Sequence, residues 1–276
     1  MLGCTYPIIQ GAFHGFGTAE FAAAVSDAGG FGIITANHRD TTRLREEIQK
    51  AKSMTDKPFG VHFTIFPGQM TADYYDDMVE VAIDEGIKAV FTSAYKAKKI
   101  GDRVHEAGLI WIHKVATMKH AISAEKDGAD AVVIVGLEGT GYKNPLTNTT
   151  MINIVMANRL LKIPFRAAGG IGDARGFLGA LAMGAQAVYI GTGFMATKEC
   201  PIPDEQKLRL VKQSSFDPEL YPKIYHHELK DSGVGSMTVG VINKIVTVKE
   251  FIDNIIKNAE KILRSWGFKG NVFSTL

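Results

Sequence analysis

The sequence predicts an α/β fold, a closed (β/α)8 TIM barrel, because eight short apolar runs alternate with amphipathic segments along 276 residues. The runs are rich in Val, Ile and aromatic residues and have glycine or proline nearby, which favours strands over helix fragments. A recurring phrase, such as EAGLIWI or MGAQAVYI, is typical of the turn from a crossover helix into the next parallel strand. The predicted strands are residues 6–12, 31–36, 58–65, 89–94, 109–115, 131–136, 164–169 and 187–192.

Amphipathic helices are predicted between these strands, and the whole chain, 1–276, is expected to be one domain. Residues 198–245 follow strand eight as an excursion that we expect to be a loop or lid over the barrel mouth. An open doubly wound sheet is the structural alternative, but the first turn lacks the G-x-G-x-x-G pattern. The predicted helices are 18–29, 41–54, 71–86, 94–108, 118–128, 151–161, 174–184 and, as the last barrel helix, 248–267. Met151 and Met156, on the helix after strand six, are expected in the core.

The composition is that of a globular protein, with 46% hydrophobic residues, 22% charged residues and a net charge of +2. No basic stripe predicts a nucleic-acid partner, and no apolar run of ~18 residues predicts a membrane span. Cys4 and Cys200 form no disulfide framework and no metal motif, so we expect reduced thiols and no metal site. The start of the chain lacks a convincing signal peptide, so a cytoplasmic location is expected, with homo-oligomerisation left open.

Two consecutive predicted strands, seven and eight, run into glycine-rich turns, AAGGI (167–171) and IGTGF (190–194). In such barrels these two loops commonly bind phosphate, because glycine lets backbone N–H groups approach the oxyanion. The alternative is that these glycines only form turns. The predicted phosphate donors are the amides of Gly169, Gly170, Gly191 and Thr192, together with the Thr192 hydroxyl.

Several motifs together resemble the nitronate monooxygenase (2-nitropropane dioxygenase) family, which includes the FMN-dependent enoyl-acyl-carrier-protein reductases. They are YPIIQGAF, AVSDAGGFGII, DKPFGVHF, EAGLIWIHKV, GADAVVIVGLEGTG and AAGGIGD…GAQAVYIGTGF. The resemblance covers residues 6–198 and resumes weakly around 236–243. It implies FMN across the barrel mouth with its phosphate on the two glycine loops. It also implies a small organic or acyl-thioester substrate, with NAD(P)H as the candidate electron donor.

The resemblance also implies which further residues approach the flavin. Lys114, on strand five, is a candidate for stabilising the reduced ring, the alternative being a lysine that reaches to the rim. His113 alternates with Lys114 and should point the other way, while His62 should point into the barrel, where a satisfied core histidine is an equal alternative. Glu138 is either a ribityl or base-orienting contact or a solvated carboxylate. The implied flavin contacts are Gly11, Ala12, Phe13, His62, Lys114, Glu138 and Gly141.

The loop after strand six departs from the family pattern, which reads E-A-G-G-H and ends in the catalytic histidine. Here the loop reads EGTGYK, so Tyr142 fills the histidine position. A tyrosine with a pKa of ~10 is a poor base but a workable proton donor, and the neighbouring Lys143 would lower that pKa. This pattern favours a reductase that protonates carbon after hydride transfer, unless Tyr142 only packs on the flavin. An oxygenase that passes electrons from a nitronate-like carbanion to O₂ stays the alternative within the flavin enzymes. His14 is the nearest replacement for the histidine, and a surface role is its alternative.

Two other functions stay open from the sequence. The same glycine loops could hold the phosphate of a substrate in a non-redox TIM-barrel isomerase or lyase. A binding or regulatory barrel without catalysis is the third hypothesis, and the polar cluster from Glu138 to Lys143 counts against it.

Overall fold

The computed structural model describes residues 1–12, 15–36, 40–139, 146–218, 220, 236–270 and 272–273. Eight parallel strands form one sheet with the order β1-β8-β7-β6-β5-β4-β3-β2, so the predicted TIM barrel is confirmed. The strands are β1 Ile8–Gln10, β2 Gly32–Thr35, β3 Phe59–Ile65, β4 Ala89–Ala94, β5 Ile110–Val115, β6 Ala131–Val135, β7 Phe165–Ala168 and β8 Ala187–Ile190.

The barrel closes between β1 and β2, where backbone pairing is reduced to a bridge between Ile9 and Phe31. The Gln10 side chain extends this junction. Its Nε2 donates to the Ile33 carbonyl at 3.1 Å, and its Oε1 accepts from the Ile33 N–H, also at 3.1 Å. Gln10 is fully buried, so its amide takes the place of a backbone peptide, and the polar groups on both sides are satisfied.

Helices surround the barrel, and most begin at a polar residue that caps the first turn. Thr and Asp side chains accept a first-turn N–H at residues 18, 40, 117, 149, 173 and 247, which satisfies a donor that the helix itself leaves free. The described helices are α1 Ala19–Asp27, α2 Thr41–Met54, α3 Asp76–Asp84, α4 Lys98–Glu106, α5 Met118–Lys126, α6 Thr150–Leu160, α7 Ala174–Ala182, α8 Thr192–Met195, α9 Asp204–Lys212 and α10 Val248–Ser265.

The apolar core has two layers, one inside the barrel and one between the strands and the helices. Alternation along each strand sends Phe91, Ile112 and Tyr189 inward, while their sequence neighbours face the helices. Met151 and Met156 of α6 were both expected in the core. Met156 packs against it, but Met151 is 63% exposed, because Ile154 and Ala157 take the barrel side of that helix.

The two ends of the excursion lie side by side and are hydrogen-bonded to each other. Thr197 forms a parallel bridge with Val246, and the Lys198 N–H donates to the Val246 carbonyl at 2.9 Å. The described part of the excursion contains α9 and a 3₁₀ helix, Met237–Val241. The chain then enters α10, which packs against α7 and α1 in the position of the eighth barrel helix. A lid role for residues 198–245 stays a prediction. No described helix combines the length and the apolar composition needed to cross a membrane.

Candidate functional site

A cleft opens at the carboxyl ends of the strands, where the loops of a (β/α)8 barrel carry functional residues. Its empty space, counted together with its open side, is about 410 Å³. His62, Glu138 and Gly170 do not line it. Among the residues predicted from the sequence, those that line it are Gly11, Ala12, Lys114, Gly169, Gly191 and Thr192. Those outside the described residues are Phe13, His14, Gly141, Tyr142 and Lys143.

The glycine turns after β7 and β8 carry backbone donors that have no acceptor in the described part of the chain. Gly169 has a φ of +100° and packs so closely that an added Cβ would lie 2.9 Å from the Thr150 Oγ1. Gly191 caps α8, so the Thr192 N–H belongs to the helix's first turn and lacks an intrahelical acceptor. Among the described residues, none accepts a hydrogen bond from the N–H groups of Gly169, Gly191 or Thr192. Such groups are suited to an oxyanion.

Three hydroxyl groups lie in the same cleft. The Thr192 and Ser236 hydroxyl oxygens are 2.9 Å apart, and the Ser236 hydroxyl donates to the Thr238 Oγ1 at 2.6 Å. All three side chains are buried and line the cleft. Ser236 and Thr238 were not predicted as site residues. The signal available was the weak return of family resemblance around residues 236–243.

Glu138 is tied to the start of α6. Its carboxylate accepts from the Thr150 N–H at 2.8 Å and from the Thr150 hydroxyl at 2.9 Å, where the helix dipole favours negative charge. Its carbonyl accepts from the Met237 N–H at 3.1 Å. Glu138 therefore joins the loop after β6 to α6 and to the end of the excursion. A direct contact between its carboxylate and a cofactor stays a prediction.

Lys114 and Tyr189 form the floor of the cleft. Both side chains point inward, and the Lys114 Nζ lies 5.8 Å from the centroid of the Tyr189 ring. Burial lowers the pKa of Lys114 to about 8. No described carboxylate lies within ion-pair distance of this ammonium group. Tyr189 was missed, because an aromatic residue in a barrel strand is most simply interpreted as core.

His62 points into the barrel as expected, but it lies below the cleft lining. Its Nε2 is 3.0 Å from the Ser93 Oγ. Burial, with smaller effects of Lys114 and His113, lowers the pKa of His62 to about 3, so the imidazole is neutral at physiological pH. His113 faces the other side of the sheet, as predicted, with its Nδ1 2.7 Å from the Thr92 Oγ1. A contact between His62 and a cofactor stays a prediction.

A sequence model of the nitronate monooxygenase family matches residues 1–223, most of the chain. The chain belongs to the nitronate monooxygenase family. This confirms the resemblance drawn from the strand and glycine-loop motifs. The match also extends beyond residue 198, where the sequence motifs had stopped.

Individual relatives within and around the nitronate monooxygenase family carry different names. A (3aS,4S,5R,7aS)-5-hydroxy-7a-methyl-1-oxo-octahydro-1H-indene-4-carboxyl-CoA dehydrogenase from Mycobacterium tuberculosis (strain ATCC 25618 / H37Rv) is 36% identical over 216 residues, covering 77% of this chain. The chain spans 59% of that relative's length. A probable nitronate monooxygenase from Staphylococcus haemolyticus is 30% identical, covering 92% of this chain and 80% of the relative.

Solved structures share the barrel fold of this chain. FabK from Thermotoga maritima superposes with a TM-score of 0.85 at 30% identity, covering 96% of each chain. A nitroalkane oxidase from Streptomyces ansochromogenes superposes with a TM-score of 0.80. Its 19% identity shows a shared fold only.

Proposed function

We propose that this chain is an FMN-dependent oxidoreductase of the nitronate monooxygenase and enoyl reductase type. The observation that carries the proposal is the N–H groups of Gly169, Gly191 and Thr192, which have no acceptor among the described residues, beside the hydroxyls of Ser236 and Thr238. A phosphate has only acceptor oxygens at its periphery, so donors without acceptors fit it. Family membership supports FMN as the owner of that phosphate.

The floor of the cleft suits the flavin ring. When bound, FMN would supply hydride chemistry by taking up and returning two electrons. Lys114 places an ammonium group at the floor, where it would stabilise negative charge on the electron-rich edge of the reduced ring. Gly11 packs so closely that an added Cβ would lie 2.8 Å from the Gly191 Cα, which keeps the loops after β1 and β8 together along the cleft. Glu138 and His62 would act around this site through the loops and strands they hold.

The substrate class that we favour is an acyl thioester with a conjugated double bond, reduced with electrons from NAD(P)H. One supporting observation is the M. tuberculosis relative, which is named for a carboxyl-CoA compound. The other is Tyr142 at the family's histidine position, which suits proton donation to carbon better than proton abstraction. Lys143 would help by lowering the pKa of Tyr142, and His14 is the further candidate acid or base.

Nitronate oxidation with O₂ is the second candidate. The S. haemolyticus relative, named a probable nitronate monooxygenase, matches over most of both chains and supports it. Anaerobic reduction by NAD(P)H followed by reoxidation with an enoyl-CoA supports the reductase. Flavin reduction by a nitronate, with turnover only when O₂ is present, supports the oxygenase.

The phosphate assignment is tested by comparing FMN with riboflavin, which differ by the phosphate alone. The purified protein is stripped of any flavin, and the affinity for each compound is measured by fluorescence quenching. We expect Ser236→Ala to weaken FMN binding by about 10- to 150-fold, the size of one hydrogen bond to a charged group, and to leave riboflavin binding unchanged. The matched control is Ser53→Ala on α2, an exposed serine far from the mouth.

A protein that cannot be loaded with FMN would overturn the proposal. If Ser236→Ala weakens FMN and riboflavin binding equally, the phosphate does not bind beside Ser236. Binding of a sugar phosphate but not FMN would support the non-redox isomerase or lyase.

A further inference from the structure

One buried aromatic side chain contacts two separate parts of the cleft. Tyr189, on β8, is 4% exposed, and its hydroxyl accepts a hydrogen bond from the Ala12 N–H at 2.6 Å. The face of its ring lies below the Lys114 Nζ, 5.8 Å from the centroid. The same residue therefore connects the loop after β1 with the cation from β5.

The surroundings of Tyr189 fix its ring and keep its hydroxyl protonated. Its ring centroid lies 6.3 Å from that of Phe91, which in turn lies 5.9 Å from that of Phe31. Aromatic packing of this kind restricts the plane of each ring. Burial raises the pKa of Tyr189 well above its ordinary value. Tyr189 is thus unsuited to proton transfer at physiological pH, and its contacts are those of a residue that positions others.

The charge on Lys114 has little other support. Burial disfavours the ammonium form. Of the described titratable groups that face the barrel interior, Arg166 on β7 is a second cation, which adds no support, and those near Lys114 are uncharged at neutral pH. The uncharged groups are His62 on β3, held by Ser93 on β4, and Tyr189 on β8; His113 faces away from the barrel interior. The face of an aromatic ring attracts a cation and does so more strongly where water is excluded. Tyr189 is therefore the described group best placed to stabilise the Lys114 ammonium.

We propose that Tyr189 is a positioning residue that holds the Lys114 ammonium beneath the cofactor ring and so favours binding of the reduced cofactor over the oxidised one. This inference rests on the proposed FMN function. Two-electron reduction of FMN with uptake of one proton adds one negative charge to the ring system. A cation fixed at the floor of the cleft therefore interacts more favourably with the reduced form than with the oxidised form.

Two variants separate the two contacts of Tyr189. Tyr189→Phe keeps the ring and removes the hydroxyl that accepts from Ala12. Tyr189→Met removes the ring and keeps a similar apolar volume. Lys114→Met removes the cation and serves as the reference for a complete loss of its charge.

The first measurement needs no flavin. The Lys114 pKa is followed by NMR in the flavin-free protein labelled with ¹³C at lysine Cε, and the Lys114→Met variant assigns the signal. We expect Tyr189→Met to lower the pKa of Lys114 by about half a unit to one unit, the range of one cation–π contact. Tyr189→Phe should leave that pKa unchanged. An unchanged pKa in Tyr189→Met would overturn the inference.

The second measurement uses the FMN-loaded protein and compares midpoint potentials. We expect Lys114→Met to reduce the preference for reduced over oxidised FMN about tenfold, a shift of about 30 mV to more negative potential. Tyr189→Met should reduce it about 3- to 5-fold, and should have no further effect in the Lys114→Met background. Tyr189→Phe should weaken the binding of oxidised and reduced FMN equally and leave the midpoint potential unchanged.

The outcomes distinguish the inference from the proposed function. If wild-type protein takes up no FMN, the proposed function fails, while the NMR result still decides whether Tyr189 supports Lys114. If FMN binds and Tyr189→Met lowers the potential equally with and without Lys114, Tyr189 acts only on packing and the inference is wrong. Should Tyr189→Met fail to fold, Tyr189→Leu replaces it in both measurements.

Discussion

Two cations point into the same barrel. Lys114 lies near the mouth, and Arg166 lies towards the other end, called the closed end here, where its guanidinium contacts Met1. The two cations lie on either side of Val133 on β6. Lys114 on β5 and Arg166 on β7 are both register partners of that residue. Burial lowers both pKa values, to about 8 for Lys114 and about 10 for Arg166. Lys114 lines the cleft, whereas Arg166 is 4% exposed, and its Nε and Nη1 have no hydrogen-bond partner among the described residues.

The difference shows how the same interior position can serve function or oppose stability. Desolvation disfavours both charges, but a ligand in the cleft can compensate Lys114 with negative charge. The described contact of the Arg166 guanidinium is the Met1 sulfur, at 3.0 Å, which is a weak acceptor. We therefore expect changes at the mouth to alter binding and turnover, and changes at the closed end to alter stability.

The largest effect is expected at the mouth, from Tyr142→Phe, although Tyr142 lies outside the described residues. If its hydroxyl donates the proton to substrate, turnover should fall by roughly 10²–10⁴ with FMN still bound. The measurement is anaerobic single-turnover reoxidation of the reduced flavin by an enoyl-CoA. Tyr74→Phe, a half-exposed tyrosine beside α3, is the control. Near-normal turnover in Tyr142→Phe would end the proton-donor role.

A second mouth variant, Gly191→Asp, should lower FMN affinity by at least about 100-fold, because it sets a carboxylate beside the phosphate donors. The same change at Gly179 on α7, where an added Cβ meets nothing within 4 Å, controls for the substitution itself. Circular dichroism checks that both variants fold, since Gly191 packs against Gly11. A folded Gly191→Asp protein that keeps its FMN would contradict the phosphate site.

The parts of the mouth that the sequence predicted are those encoded locally. Strands follow from apolar runs, and Gly169 and Gly191 follow from glycine-rich turns directly after those runs. Ser236 could not be found this way, because it reaches Thr192 across 44 residues of sequence through an excursion with no periodic pattern. Glu138 was predicted at the right loop, but its bonds to Thr150 depend on how α6 packs.

The floor of the mouth was half predicted for a related reason. Alternation along β5 placed Lys114 inward and His113 outward, as observed. The same alternation places Tyr189 inward but cannot distinguish a core aromatic from one that contacts Lys114 and Ala12, because both contacts come from other strands. The prediction that Met151 lies in the core was wrong, because an apolar residue on a helix need not face the barrel.

At the closed end, Arg166→Met should raise the free energy of unfolding by about 1–3 kcal/mol, because it removes a buried charge whose Nε and Nη1 have no hydrogen-bond partner among the described residues. Urea unfolding of the flavin-free protein measures this change. FMN affinity should stay within about twofold of the wild-type value, since Arg166 does not line the cleft. Destabilisation by this variant would show that Arg166 has stabilising partners outside the described contacts.

The smallest effect concerns the pH dependence of stability and distinguishes the two cations. Lys114 has a pKa of about 8 in the folded chain, against an ordinary value of 10.5. Between these values the unfolded chain binds more protons than the folded chain, so Lys114 makes stability rise as pH increases from 8 to 10.5. Arg166 makes the corresponding contribution only above about pH 10, where its folded pKa lies.

Urea unfolding of the flavin-free protein at pH 7.5 and pH 9.5 measures the change in stability over this range. Of the two cations, Lys114 is the one that contributes to that change. Relative to wild type, Lys114→Met should lose part of the increase in stability between the two pH values, whereas Arg166→Met should keep all of it. Differences from wild type cancel the titration of other lysines and tyrosines over this range. An equal loss in both variants would mean that mouth and closed end are electrostatically alike. If only Lys114→Met shows the loss, Lys114 is the cation whose desolvation a bound anion can relieve. Its pKa of about 8 lies close to the pH at which the cleft would bind its ligands.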